Sequence, residues 1–169
     1  MGWRFLRGSG TSHVKELAKE SWNHFTILTK SLCLVHVVAT YVVSTEVTTG
    51  PSMLPTLSIS GDILLVEHLS SRFGRIKVGD VVVATSPLNP QIRVCKRVIG
   101  LEGDRIGYCP NSHGIFATSV TVPKGHVWLQ GDNSLRSQDS RHYGPVPFGL
   151  LQGRVWLRVW PLQGFGRLN

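Results

Sequence analysis

Beyond residue 46 no apolar run grows past strand length before glycine, proline or asparagine interrupts it. The runs are DILLVE at 62–67, DVVVAT at 80–85, IRVCKRVI at 92–99, HVWLQ at 126–130 and RVWLRVW at 154–160. Between them stand SG at 60, VGD at 78, LNP at 88, EGD at 102, CPN at 109, PKG at 123 and GDN at 131. Short β-branched and aromatic runs bounded by turn formers read as strands. The expected fold is therefore mostly β: an antiparallel, barrel-like or coiled domain over 46–162, followed by a short C-terminal tail at 163–169. The 18 Gly and 9 Pro fit many turns rather than a coiled coil, and a hydrophobic fraction of 41% excludes a disordered chain.

The first third has another pattern. In TSHVKELAKESWNHF, at 11–25, Val14, Leu17, Ala18, Ser21, Trp22 and Phe25 fall at steps of three and four, as on one helical face. Residues 1–24 thus form an N-terminal amphipathic segment, either packed on protein or lying on a membrane. Ser31 to Thr45 carries no Lys, Arg, Asp or Glu. At about 1.5 Å per residue that stretch spans roughly 22 Å, short of a bilayer core of roughly 30 Å. Counting from Phe25 restores about 31 Å, with Lys30 snorkelling to the headgroups. A single anchor over 25–45 is expected, with a buried core element as its rival. Arg4, Arg7, Lys15, Lys19 and Lys30 precede the segment, and no Lys or Arg follows until Arg72. The positive-inside rule then leaves the amino terminus on the side of synthesis and the remainder across the membrane. MGWRFL lacks the Ser or Thr that a myristoylation signal needs, and no A-x-A site follows the apolar run.

The formal charge is +8, from 18 Lys and Arg against 10 Asp and Glu. After the apolar segment the two signs are interspersed, with Lys96-Arg97 the one adjacent basic pair. That is the pattern of a solvated surface rather than a nucleic-acid footprint. Cys33, Cys95 and Cys109 form no CxxC, and the seven His show no metal-ligand spacing, so neither a disulfide framework nor a metal or other cofactor is expected.

The chemistry centres on Lys96. With period two, Ile92, Val94, Lys96 and Val98 share the more apolar face of their strand. A lysine there snorkels, pairs with a carboxylate or loses its proton, because burial disfavours the charged amine. Holding it half neutral at pH 7, against a usual pKa of about 10.4, takes about 4.6 kcal/mol. A neutral amine is a general base. Ser52 lies in TTGPSMLPTL, where Gly50, Pro51 and Pro55 constrain the backbone and Met53 and Leu54 give apolar cover. Such a serine attacks a carbonyl if a base removes its proton, and is otherwise a turn residue. GDNSLRSQDSRHYG, at 131–144, is a polar loop in which Ser137 is placed to hold an amine and Asp139 to pair with Arg141.

SMLP at 52–55, GD at 61–62 and 79–80, KRVIG at 96–100, EGD at 102–104, and GDN with SQDSR over 131–141 together resemble the ordered motifs of the type I signal peptidase family. The resemblance implies a membrane-anchored serine endopeptidase with a signal-peptidase-like coiled antiparallel β domain and a Ser-Lys dyad. It makes Ser52 the nucleophile, Lys96 the general base, Ser137 the residue orienting the lysine, Asp139 and Arg141 structural supports, and Gly50 and Met53 part of the oxyanion and substrate-binding region. HVWLQGDN, DSRHYG and the ending GLLQGRVWLRVWPLQGFGRL are similar to the subunit 1 type of the mitochondrial inner membrane peptidases, as is Arg141 after DS. That branch implies presequence-bearing precursor proteins as substrates, contact with membrane lipid, a second homologous subunit, an N-terminus in the matrix and a catalytic domain in the intermembrane space. One departure is Gly50, where bacterial members commonly carry an oxyanion-binding serine; the second oxyanion donor is thereby left open.

Other readings stay beside this one: a bacterial- or plastid-type signal peptidase, an inert partner subunit, a basic β-barrel nucleic-acid-binding module, and a Ser-His-Asp arrangement using His142 or His126 with Asp139. In the last strand Trp156, Arg158 and Trp160 share a face opposite Val155, Leu157 and Val159, as core packing, a membrane interface or a subunit contact requires.

Overall fold

The computed structural model describes residues 9–109 and 118–168, with side chains from residue 14. Arg4, Arg7 and the rest of the segment before residue 9, and Pro110 and Asn111 of the expected CPN turn, lie outside the described residues. The chain divides into two compact units, Met1–Thr40 and Tyr41–Asn169.

The first unit is helical. Helix α1 runs without a break over Ser9–Tyr41, so the expected boundary at residue 25 between an amphipathic segment and an anchor is not a structural one. Val14, Leu17, Trp22, Phe25, Leu28, Leu32 and Val35 are all exposed on it. Among the described residues no helix is long and apolar enough to cross a membrane. Lys15, Glu16, Lys19, Glu20 and Lys30, with His36 and several Ser and Thr residues, dilute its hydropathy. The helix ends at Tyr41, and Val43, Ser44 and Thr45, expected as the end of the anchor, instead begin a strand.

The second unit is a mostly β, antiparallel structure. Its strands are β1 (Val43–Thr49), β2 (Ser60–Glu67), β3 (Val81–Thr85), β4 (Arg93–Gly100), β5 (Arg105–Tyr108), β6 (Thr118–Thr121), β7 (His126–Gln130), β8 (Val146–Pro147) and β9 (Leu151–Trp160). Short helices α2 (Leu69–Arg72) and α3 (Ser140–Tyr143) join them. Seven strands form one sheet in the order β1-β2-β9-β3-β4-β7-β8, and β5 pairs with β6 apart from it. Register shifts in the β1–β2, β2–β9, β3–β9 and β4–β7 pairings curl the sheet, since each extra residue bends its strand and increases the local twist. Sequence periodicity did not mark β1, β5, β6 or β8. VSTEVTT is Thr-rich and abuts an apolar helix, and RIGY and TSVT are short and half polar.

Strand β3 explains where the core sits. Val81, Val82, Val83 and Ala84 are all buried, because the curled sheet covers both of its faces. Val82 and Ala84 pack with Val98, Val127, Leu129 and Val146, while Val81 and Val83 pack with Met53, Leu57, Leu64, Val66 and Val155. Three Gly-Asp pairs build the turns by one device. Gly61, Gly79 and Gly103 have φ of 88, 96 and 89°, a region open to glycine. The next residue's carboxylate then accepts a backbone N–H from the turn: Asp62 from Ser58, Asp80 from Lys77 and Asp104 from Leu101.

At the end of β9, Val155 is buried while Trp156 and Trp160 are 44% and 51% exposed. Arg158, on their side, is held by the fold: its guanidinium donates to the Gly164 and Thr56 carbonyls at 2.6 and 2.9 Å. Its backbone also pairs with Gly166, and Leu168 packs on the cluster around Met53. The C-terminal tail, expected over 163–169, is thus folded back through residue 168 onto the sheet that carries it.

Candidate active site

Ser52 is the middle residue of a single 3-10 turn, Pro51–Met53. Gly50 enters it at φ 109°, ψ 156°, and its N–H is committed to the Ile59 carbonyl at 2.7 Å. Pro51 has no N–H to lose. The first N–H groups of a helical turn have no acceptor within it, which leaves those of Ser52 and Met53 open; Leu54 is the first to close, onto the Pro51 carbonyl. Met53 is 3% exposed and buries its side chain beside Leu57, so the turn is pinned to the core while Ser52 stays half-buried.

The GDN loop holds this turn from outside. Asn133 donates from its backbone to the Ser52 carbonyl at 3.0 Å and from Nδ2 to the Pro51 carbonyl at 3.1 Å. Gly131 is packed so closely that an added Cβ would lie 2.4 Å from the Ser52 carbonyl oxygen and 2.2 Å from Ser137 Oγ. Gly131→Ala is therefore expected to displace Ser52 or Ser137 and to cost at least about 1–3 kcal/mol of stability from overpacking. Urea unfolding with a parallel activity assay checks this, and an unaltered midpoint with full activity would contradict the packing described. The role of Asn133 was not legible beforehand: GDN stood out as a turn, but nothing in it pointed across the fold to Ser52.

Lys96 lies on β4 opposite Val82 and is 4% exposed. Among the described residues its side-chain amine has neither a hydrogen bond nor an ion pair. Burial pushes its pKa down; the nearby Asp139 and Cys95 oppose this, while Arg141 adds to it. Burial likewise pushes the adjacent Cys95 thiol up to about 12, so it stays protonated. Of the paths open to a lysine on an apolar strand face, pairing is the one this environment does not supply.

Ser137, Asp139 and Arg141 form one network. Asp139 is fully buried, and its Oδ2 accepts from Ser137 Oγ at 2.6 Å, from the Gly131 N–H at 2.9 Å and from Arg141 Nη2 at 2.6 Å. Its Oδ1 accepts from Arg141 Nε at 2.9 Å and from the Arg141 N–H at the start of α3. Burial alone would raise this carboxyl, but the bonds from Arg141, Ser137 and Gly131 outweigh it and hold the pKa below the usual range. Ser137, itself buried, has given its hydrogen to Asp139, so toward any further group it acts only as an acceptor.

A second pair braces the same loop. Arg97 donates from Nε and Nη2 to the two oxygens of Asp132, each at 2.9 Å, and from Nη1 to the Gly79 carbonyl. Thr56 also donates to Asp132. Arg97, read from sequence as half of a basic pair and as part of KRVIG, thereby joins β4 to the GDN loop.

Ser52 and Lys96 open into one cleft of about 250 Å³, which Gly50 and Met53 also line. Ser137, Asp139 and Arg141 do not line it, although the charges of Asp139 and Arg141 bear on Lys96. Neither rival histidine lies in it. His142 Nδ1 is 3.9 Å from Asp139 Oδ1, on the exposed side of the capping box of α3, and His126 Nδ1 donates to the Lys124 carbonyl.

The family described as "Signal peptidase, peptidase S26" matches residues 21–116 and 110–160 of the chain. The chain belongs to this signal peptidase family. Its relatives in the family include the mitochondrial ATP-independent inner membrane protease subunit 1a of Arabidopsis thaliana, 53% identical over 97% of this chain and 100% of that one. The human mitochondrial inner membrane protease subunit 1 is 48% identical over 81% of each chain. Subunit 2 of the protease from Danio rerio is 40% identical over 71% of this chain and 66% of its own.

Proposed function

We propose that this protein removes N-terminal sorting peptides from precursors delivered across the mitochondrial inner membrane, using Ser52 as nucleophile and Lys96 as general base. The enzyme class follows from the family: a serine endopeptidase of the signal peptidase type. The dyad rests on one observation above others. A serine on a rigid turn and a buried lysine with a depressed pKa open into the same cleft.

In the proposed mechanism neutral Lys96 takes the proton from Ser52 Oγ as the oxygen attacks the scissile carbonyl. The Ser52 N–H, which has no backbone acceptor among the described residues, meets the developing oxyanion, whereas the Gly50 N–H is spent on Ile59. The protonated lysine then gives its proton to the leaving amine. Water activated by the same lysine releases the acyl group from Ser52. Ser137, fixed by Asp139 and Arg141, is the acceptor that orients the amine. Detergent-solubilised full-length chain should cleave a panel of presequence peptides, and Ser52→Ala should not; equal cleavage by both would remove the proposal.

Attachment through α1 completes the proposed topology, with the amino terminus in the matrix and the β unit in the intermembrane space. Its apolar side chains are exposed within their own unit, and Lys30 reaches the headgroups by snorkelling. Alkaline carbonate is expected to leave the full chain in the membrane pellet, and release of intact protein would refute a bilayer anchor. The subunit 2 relative supports a second homologous subunit as partner.

A further inference from the structure

The connection from β2 to β3 departs from the interspersed charge of the rest of the β unit. His68 to Gly79 holds Arg72, Arg75 and Lys77 but no Asp or Glu. Among the described residues none of these three side chains has an ion pair, and the flanking carboxylates, Glu67 and Asp80, face Arg154 at 2.9 and 3.8 Å. The three cations are exposed together with Leu69, Phe73 and Val78, while Ser70 and Ile76 are buried. The Arg75 guanidinium lies over the Phe73 ring, 5.6 Å from its centroid. Packing explains the two buried residues, but not three unpaired cations beside three exposed apolar side chains.

The turn is ordered and has a fixed place. Phe73 and Arg75 donate from the backbone to the Leu69 and Ser70 carbonyls at 2.9 and 2.8 Å. The His68 N–H donates to the Val42 carbonyl at 2.9 Å, and the Arg72 guanidinium lies over the Tyr41 ring, 5.4 Å from its centroid. Tyr41 is the last residue of α1. The turn therefore stands where the chain leaves that helix, at headgroup level if α1 lies in the bilayer. No helix among the described residues is long and apolar enough to cross a membrane, and a weak apolar anchor holds stably only with a second, electrostatic signal. Near an anionic membrane surface each Lys or Arg strengthens binding about fivefold.

We propose that the turn over 69–78 is a second membrane contact, in which Arg72, Arg75 and Lys77 bind anionic phospholipid headgroups and Leu69, Phe73 and Val78 enter the interface. The proposal rests on the reading of α1 as attached to the membrane, and the turn supplies the electrostatic half of that attachment.

Hydrogen exchange of the full-length protein tests this on vesicles of phosphatidylcholine and on vesicles of an equimolar mixture with phosphatidylglycerol. Exchange of the amides over 69–78 should be slower by about tenfold or more on the anionic vesicles. About 1 M NaCl, which shortens the screening length to roughly 3 Å, should remove most of that slowing. The triple variant Arg72→Gln, Arg75→Gln and Lys77→Gln should lose it too, with an unchanged thermal melt. Equal exchange on the two lipids, or slowing that survives the triple variant, would overturn the proposal. Slowing by hexaglutamate but not by anionic vesicles would mark an acidic protein partner and overturn it as well. If alkaline carbonate frees the full chain while added anionic vesicles still slow the turn, the anchor fails and this contact stands.

Discussion

Lys96→Ala is expected to lower kcat/KM for presequence cleavage by roughly a thousandfold or more, the scale on which a positioned general base contributes. Lys96→Arg is the sharper substitution. It keeps the positive charge and most of the length, but a guanidinium does not give up its proton, so it should be as inactive as alanine. A lysine that only held the cleft together by charge would be rescued by arginine. Lys96→Met removes the amine while filling its space and should fold at least as well as wild type, because a group whose charge is disfavoured by burial is no longer buried. Ser52→Ala should lose as much activity as Lys96→Ala, and the double variant little more, since groups acting as one unit are not additive. Single-turnover kinetics with thermal melts on all five separates lost chemistry from lost fold.

Asp139→Ala should have the largest effect on the fold. It deletes a fully buried carboxylate that serves Ser137, the Gly131 N–H and three donors of Arg141, whose side chain is only 13% exposed. Removing one partner from a buried pair leaves the other uncompensated, which costs about 3–5 kcal/mol. The urea midpoint should fall by the corresponding amount, and processing should be lost with it because Ser137 is no longer fixed. Acid should act on the same network. Asp139 and Asp132 are both held below the usual carboxyl range, so their contribution is fully present above an ordinary value of about 3.9 and is lost as pH falls through the lowered ones. Urea titrations from pH 6 down to pH 3 read this out; a midpoint that does not fall with acid would contradict it.

How much of this was legible beforehand differs by element. The central strands were, because β-branched runs such as VVVAT at β3 fall between Gly-Asp turns whose carboxylates cap their own backbone. Strands β5 and β6 were not, since four residues that are half exposed carry no period. The apolar segment was read three residues into β1: Val43 to Thr45 are apolar or neutral like the helix before them, and pairing with β2 decides their state. At the site, Lys96 was singled out by its strand face and Ser52 by its proline-bounded turn. What tied them to GDN and DSR was the order of motifs, not the chemistry of any one. Asn133 and the Arg97–Asp132 pair act between segments far apart in the chain, and no local pattern encodes such contacts.

The pH dependence of kcat/KM for the full chain tests the central claim most directly. If buried, neutral Lys96 is the base, the rate rises with pH as the amine loses its proton, with a midpoint below the ordinary lysine value of about 10.4. Asp139→Asn, which removes a charge that holds the proton on Lys96, should move that midpoint lower in whatever activity remains. A rate that stays level through this range, or a rising limb that persists unchanged in Lys96→Ala, would contradict it.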